Sequence, residues 1–162
     1  MNDTIVPAHD FRSRVPALDN GEMFWAALGL SRAWAKRFPN ILPQLRERFD
    51  EVFWKGMIRN ARKVFFNETT GKIRAVADIG DVKASVAKND YSNVDNYYLD
   101  DPYEGELYIW MVTLLAKDQF SKEEIDFIWA DKRNKLEAVN YTVKSKGGLK
   151  ITVEKGWWFS AH

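Results

Sequence analysis

The residues best suited to chemistry lie together in NDYSNVDNYYLDDPYEGELY, residues 89–108. This segment holds six carboxylates (Asp90, Asp95, Asp100, Asp101, Glu104, Glu106) and five tyrosines (Tyr91, Tyr97, Tyr98, Tyr103, Tyr108). Carboxylates accept hydrogen bonds from hydroxyl groups, and flat rings offer apolar faces to the C–H surface of a sugar, so the mixture suits a neutral, hydroxyl-rich ligand. A carboxyl held against an apolar wall has a raised pKa and can protonate a glycosidic oxygen. The same residues have a plainer use as a solvated loop. Glu104 also sits where a capping-box glutamate belongs, three residues after Asp101 and behind Pro102.

Asp19-Asn20-Gly21 has the same dual character: a helix cap, or a carboxylate and an amide at the mouth of a helical hairpin. Other chemistries find little footing. Without Cys there is no thiolate metal site, disulfide framework or Cys nucleophile. His9 and His162 lie in the terminal segments, which makes no His-based triad or His metal cluster. The glycines form neither a phosphate-binding loop nor a dinucleotide fingerprint, and no frame in 89–106 supplies the EF-hand glycine. We therefore expect no metal and no cofactor. Arg59, Arg62 and Lys63 read as a solvated helix C-terminus. Trp157 and Trp158 fall outside any helical stripe and could line a cleft.

The elements that must position these groups are mostly helical. Asp19 with Glu22 reads as a capping box opening a helix whose stripe is Met23, Ala27, Leu30, Trp34 and Phe38, stopped by Pro39. A second helix runs from Leu42 to Ile58, with Pro43 in its first turn and Leu42, Leu45, Phe49, Val52 and Phe53 on one face. Residues 64–76 read as a β-hairpin, and 78–101 show no period. A third helix is expected from Asp101, its buried stripe being Tyr103, Leu107, Trp110, Met111 and Leu114. A fourth starts at the capping box Ser121/Glu124, and a second hairpin turns at Gly147-Gly148 within residues 141–153. The expected architecture is a single domain, mainly α with small β-hairpins, built of antiparallel helical hairpins. A tail occupies 1–14, a helical hairpin 19–58, the later helices 101–140, and a Trp-rich end closes 141–162.

Composition agrees with a folded domain: of 162 residues, 46% are hydrophobic and 29% charged. The net charge of +1 argues against a nucleic-acid partner, but it conceals a net of −6 over residues 75–108 between two basic flanks. No apolar run reaches membrane-spanning length and no signal-peptide core is visible, so we expect no membrane partner and a cytoplasmic location. Aromatic residues, at 14% with seven Trp, exceed what so short a chain needs. The surplus points to surface meant for missing C-terminal helices or for self-association.

LDNGEMFWAALGLSRAWAKRFPNILPQLRERFDEVFW resembles the first helical hairpin of the glycoamylase-like and β-1,2-glucanase families, which open with an Asp-Asn pair at a helix start. DDPYEGELYIWMVTLLAKD resembles their later helix, where a Glu-Gly pair precedes a long apolar stretch, and GWWFSAH is similar to aromatic segments facing the same cleft. Glu106 departs from the pattern, standing where these families often carry a basic residue. The resemblance implies an (α/α)-toroid, of which this chain makes part. It implies a glycoside hydrolase acting on β-linked glucan with Glu104 as general acid. Asp19, Asn20, Asp95, Tyr97, Asp100, Tyr103, Trp157 and Trp158 would be sugar-contacting residues. A non-catalytic helical module binding a protein or saccharide through the acidic loop is the alternative.

Overall fold

In the computed structural model, residues 12–40, 42–135, 139–144, 147 and 150–155 are described. The described part is mainly α, with small antiparallel strands. A short strand, β1 (Arg14–Pro16), leads directly into the long helix α1 (Ala17–Arg37). Pro16, not Asp19, occupies the N-cap, and no side chain caps this end. Asp19 instead lies in the first turn, where a carboxylate favours the positive end of the helix dipole, with Lys36 and Arg37 complementing the other end. Pro39 excludes helical backbone at Phe38, which turns out to φ −130°.

The second helix begins where expected but runs further. Helix α2 (Pro43–Asp50) has proline at its start, passes through a π-helical stretch at Glu51–Lys55, and continues as α3 (Gly56–Phe65). Asp50 ties the pair together, its Oδ1 accepting from Ser31 Oγ at 2.5 Å and from Trp54 Nε1 at 2.8 Å. Val64 and Phe65 therefore belong to α3, and the hairpin they were expected to open is only β2 (Phe66–Asn67) with β3 (Lys72–Ile73).

Residues 78–101 are better ordered than their lack of period implied. Strand β4 (Val76–Ile79) pairs antiparallel with β1 on one side and β5 (Tyr91–Asn93) on the other, and a single bridge joins Arg74 to Tyr98. Helix α4 (Glu106–Leu115) follows, and then α5 (Lys122–Asn134). The Ser121/Glu124 capping box is present, Glu124 N–H donating to Ser121 Oγ and Ser121 N–H donating to Glu124 Oε2. Arg62 joins this end of α5 to α3 through two hydrogen bonds to the Glu124 carboxylate. The last hairpin pairs β6 (Val139–Lys144) with β7 (Lys150–Lys155), turning at Gly147.

The core gathers Phe24 of α1, Phe65 and Phe66, and Tyr108, Ile109, Met111 and Val112 of α4. Helices α1 and α4 cross at Gly21, where a Cβ would lie 2.6 Å from the Tyr108 backbone nitrogen. The helix stripes read from spacing are largely displaced. On α1 the buried positions are Ala17, Gly21, Phe24, Ala27 and Ser31, while Met23 and Leu30 face outward. On α4, Met111 is buried, but Trp110 is 45% and Leu114 52% exposed, and Tyr103 precedes the helix. Helix α4 is apolar on every side, so its sequence period could not choose the inner face. Among the described residues, no helix is long and apolar enough to cross a membrane.

Candidate active site

The turn before α4 forms one wall of a cleft of about 310 Å³, lined by Leu18, Glu22, Tyr103, Glu104, Gly105, Glu106 and Leu107. The first turn of α1 faces it. Trp25 of α1 donates through Nε1 to the Leu107 carbonyl at 2.8 Å, which fixes the start of α4 against α1. Asp101 does not cap α4. Residues 101–105 make successive turns, with Glu104 N–H donating to the Asp101 carbonyl, and the helix starts only at Glu106. The N-cap is Gly105, in the left-handed region at φ 68°. A Cβ there would also lie 2.7 Å from the Leu99 side chain, so conformation and space both require glycine. Glu104 is thereby released from capping and left at the cleft.

Partial burial against this wall pushes the Glu104 carboxyl above its ordinary pKa, and the neighbouring Asp101 carboxylate pushes it further. Such a group stays protonated to higher pH than a free glutamate, which is what a general acid requires. Glu22 and Glu106 share the cleft, though in sequence Glu22 reads only as a cap and Glu106 as a departure from the family pattern. Their signal was the helical spacing from Leu18 to Glu22 across from the Glu-Gly pair.

The other expected contacts scatter. Tyr103 lines the cleft, 61% exposed. Asp19 is exposed on the same first turn of α1, beside Leu18. Asn20 donates to the Pro16 carbonyl and faces a separate cavity of about 530 Å³, shared with Asn60, Asn89, Tyr91 and Tyr108. Asp95 is exposed, in a turn with φ 52°, and Tyr97 is exposed as well; neither lines either cavity. Asp100 is engaged by Lys72 at 2.9 Å and Lys135 at 2.6 Å. Burial raises its pKa, but the hydrogen bonds from Lys135 and Lys72 outweigh that and hold it below the usual carboxylate range. Trp157 and Trp158 lie outside the described residues. Among the described residues no cluster of His, Cys, Asp and Glu could hold a metal ion.

Comparison with known proteins shows the family. The family model of the endo-β-1,2-glucanase SGL matches residues 1–162. The chain belongs to the SGL family of endo-β-1,2-glucanases. Among solved structures, it is similar to the endo-β-1,2-glucanase from Talaromyces funiculosus in complex with sophorose, with 33% identity and a TM-score of 0.76. It is equally similar to a mutant of that enzyme in complex with β-1,2-glucan, at 32% identity and the same TM-score. Both comparisons cover 95% of this chain and 30% of the relative's. The chain thus spans under a third of the length of these glucanases, consistent with part of a toroid. No curated protein matches it significantly.

Proposed function

We propose that this chain forms the general-acid wall of an endo-β-1,2-glucanase cleft, with Glu104 protonating the glycosidic oxygen of a β-1,2-linked glucan. The observation that carries this reading is the placement of Glu104. It sits at the cleft, outside the α4 cap, with its pKa raised by desolvation and by Asp101. In an inverting reaction the acid delivers its proton to the leaving oxygen as the C–O bond breaks. A second carboxylate, about 6.5–9.5 Å away across the ring, takes a proton from the attacking water. Glu106 beside the acid and Glu22 on the facing wall, with Asp19 and Tyr103, are then suited to sugar hydroxyls.

The bare faces of α1 and α4, with Met23, Leu30, Trp110 and Leu114, are where further toroid helices would pack. The short span relative to the glucanases favours one second reading, a saccharide-binding module without turnover. Glu104→Gln separates the two when assayed for new reducing ends from β-1,2-glucan. We expect turnover to fall by roughly 10²–10⁴-fold with binding retained. Unchanged turnover would overturn the assignment, whereas binding without cleavage by the unaltered protein would favour the module.

A further inference from the structure

A lysine in the last turns of an amphipathic helix ordinarily reaches solvent. Lys132 of α5 does the opposite: it is 2% exposed, among the largest fully buried side chains of the core. Its ammonium donates to three backbone carbonyls, Asp101 at 2.5 Å, Glu104 at 2.6 Å and Leu99 at 3.4 Å. All three belong to the segment that ends in Glu104 and the left-handed Gly105. Burying an ammonium is costly unless every donor is satisfied, and here the three protons have three acceptors. The acceptors are spread over both ends of an irregular turn, so one side chain fixes the curvature of the whole segment. Neighbouring ion pairs reinforce this hold: Lys135, just past the end of α5, reaches Asp100 of the loop, and Asp131 of α5 reaches Lys72 of β3, which itself pairs with Asp100.

We propose that Lys132 is a positioning residue that builds the turn 99–104 around its ammonium and thereby sets the side chain of Glu104 at the cleft. The inference rests on the proposed role of Glu104 only for what the placement serves; the placement itself is measurable without turnover. Burial lowers the Lys132 pKa while Glu106, Glu104, Asp101 and Asp100 counter it; the three carbonyl acceptors call for the three protons of an ammonium, the cationic form. Its positive charge alone would lower the Glu104 pKa, so deleting that charge with the turn intact would raise it. Loss of the turn would instead expose Glu104 to water and lower its pKa toward the ordinary value. The two roles therefore have opposite signs.

The test follows the Glu104 carboxyl carbon and the amides of residues 100–105 by NMR in the full chain and in Lys132→Met. Positioning predicts displaced loop amides and a Glu104 titration that falls toward the ordinary glutamate range. Unmoved amides, with the Glu104 titration unchanged or raised, would overturn the proposal. A second measurement needs no variant: caged by carbonyls, the Lys132 ammonium protons of the unaltered chain should exchange slowly enough to be observed, with through-space contacts to residues 101–104. A Lys132 ammonium that exchanges as fast as exposed lysines would also overturn it. Glu104→Gln turnover separately decides the catalytic reading, so failure of one is distinguishable from failure of the other.

Discussion

The crossing of α1 and α4 allows a prediction of sign as well as size. Gly21 and Gly29 both lie inside α1. A Cβ on Gly21 would lie 2.6, 2.8 and 2.9 Å from Tyr108 N, Cα and Cβ, whereas a Cβ on Gly29 has nothing within 4 Å. Ordinary carbon contact starts near about 3.5 Å, so Gly21→Ala forces the helices apart by roughly 1 Å. What blocks it is mostly helix backbone, which cannot swing aside. Overpacking of this kind costs about 3 kcal/mol at the upper end of its usual range, against a gain of about 1 kcal/mol in helix propensity. The net loss is about 2 kcal/mol, or roughly 4–8 °C in Tm for a chain of this length. Gly29→Ala keeps only the propensity gain and should raise Tm by roughly 2–4 °C. Thermal unfolding followed by circular dichroism measures both. Equal shifts in the two variants, or a stabilised Gly21→Ala, would refute the close crossing that places the first turn of α1 across from Glu104.

Two further substitutions probe the turn itself. Gly105→Ala should destabilise the chain by about 1–3 kcal/mol in urea unfolding, since it imposes a positive φ and a 2.7 Å approach to Leu99, and it should displace the amides of residues 101–107. Asp100→Asn should cost about 1–2 kcal/mol at neutral pH, between the surface and buried limits for ion pairs. Because the folded pKa of Asp100 is lowered, its contribution is present above the unfolded carboxyl pKa and disappears as pH falls through the folded value. Unfolding curves of variant and parent should therefore converge in acid.

The legible parts of the fold were those written in local chemistry. Pro39 and Pro43 bracket the α1–α2 link, Ser121 and Glu124 cap α5, and the β6–β7 hairpin turns at a glycine. The inner faces were not legible. Trp110 and Leu114 are as apolar as the residues that α4 buries, yet they face outward because α1 and α3 cover only one side of a helix that is apolar all round. Asp101-Pro102 carried a strong capping signal, but Lys132 takes the carbonyls of this segment and bends it into turns, which moves the cap to Gly105. A lone lysine on a helix gives no such warning in sequence. At the site, the Asp-Asn and Glu-Gly pairs located the two helix starts that face each other. Spacing could not show that Asn20 looks into a different cavity or that Asp100 is held by Lys72 and Lys135.

The central claim is that the cleft between the first turn of α1 and the Glu104 turn holds β-1,2-glucan. Titration of the chain with short β-1,2-linked gluco-oligosaccharides, read on the backbone amides, tests it most directly. The account predicts saturable shifts concentrated at Leu18, Glu22 and residues 103–107. Saturable shifts confined to other surfaces, with these amides unmoved, would contradict it.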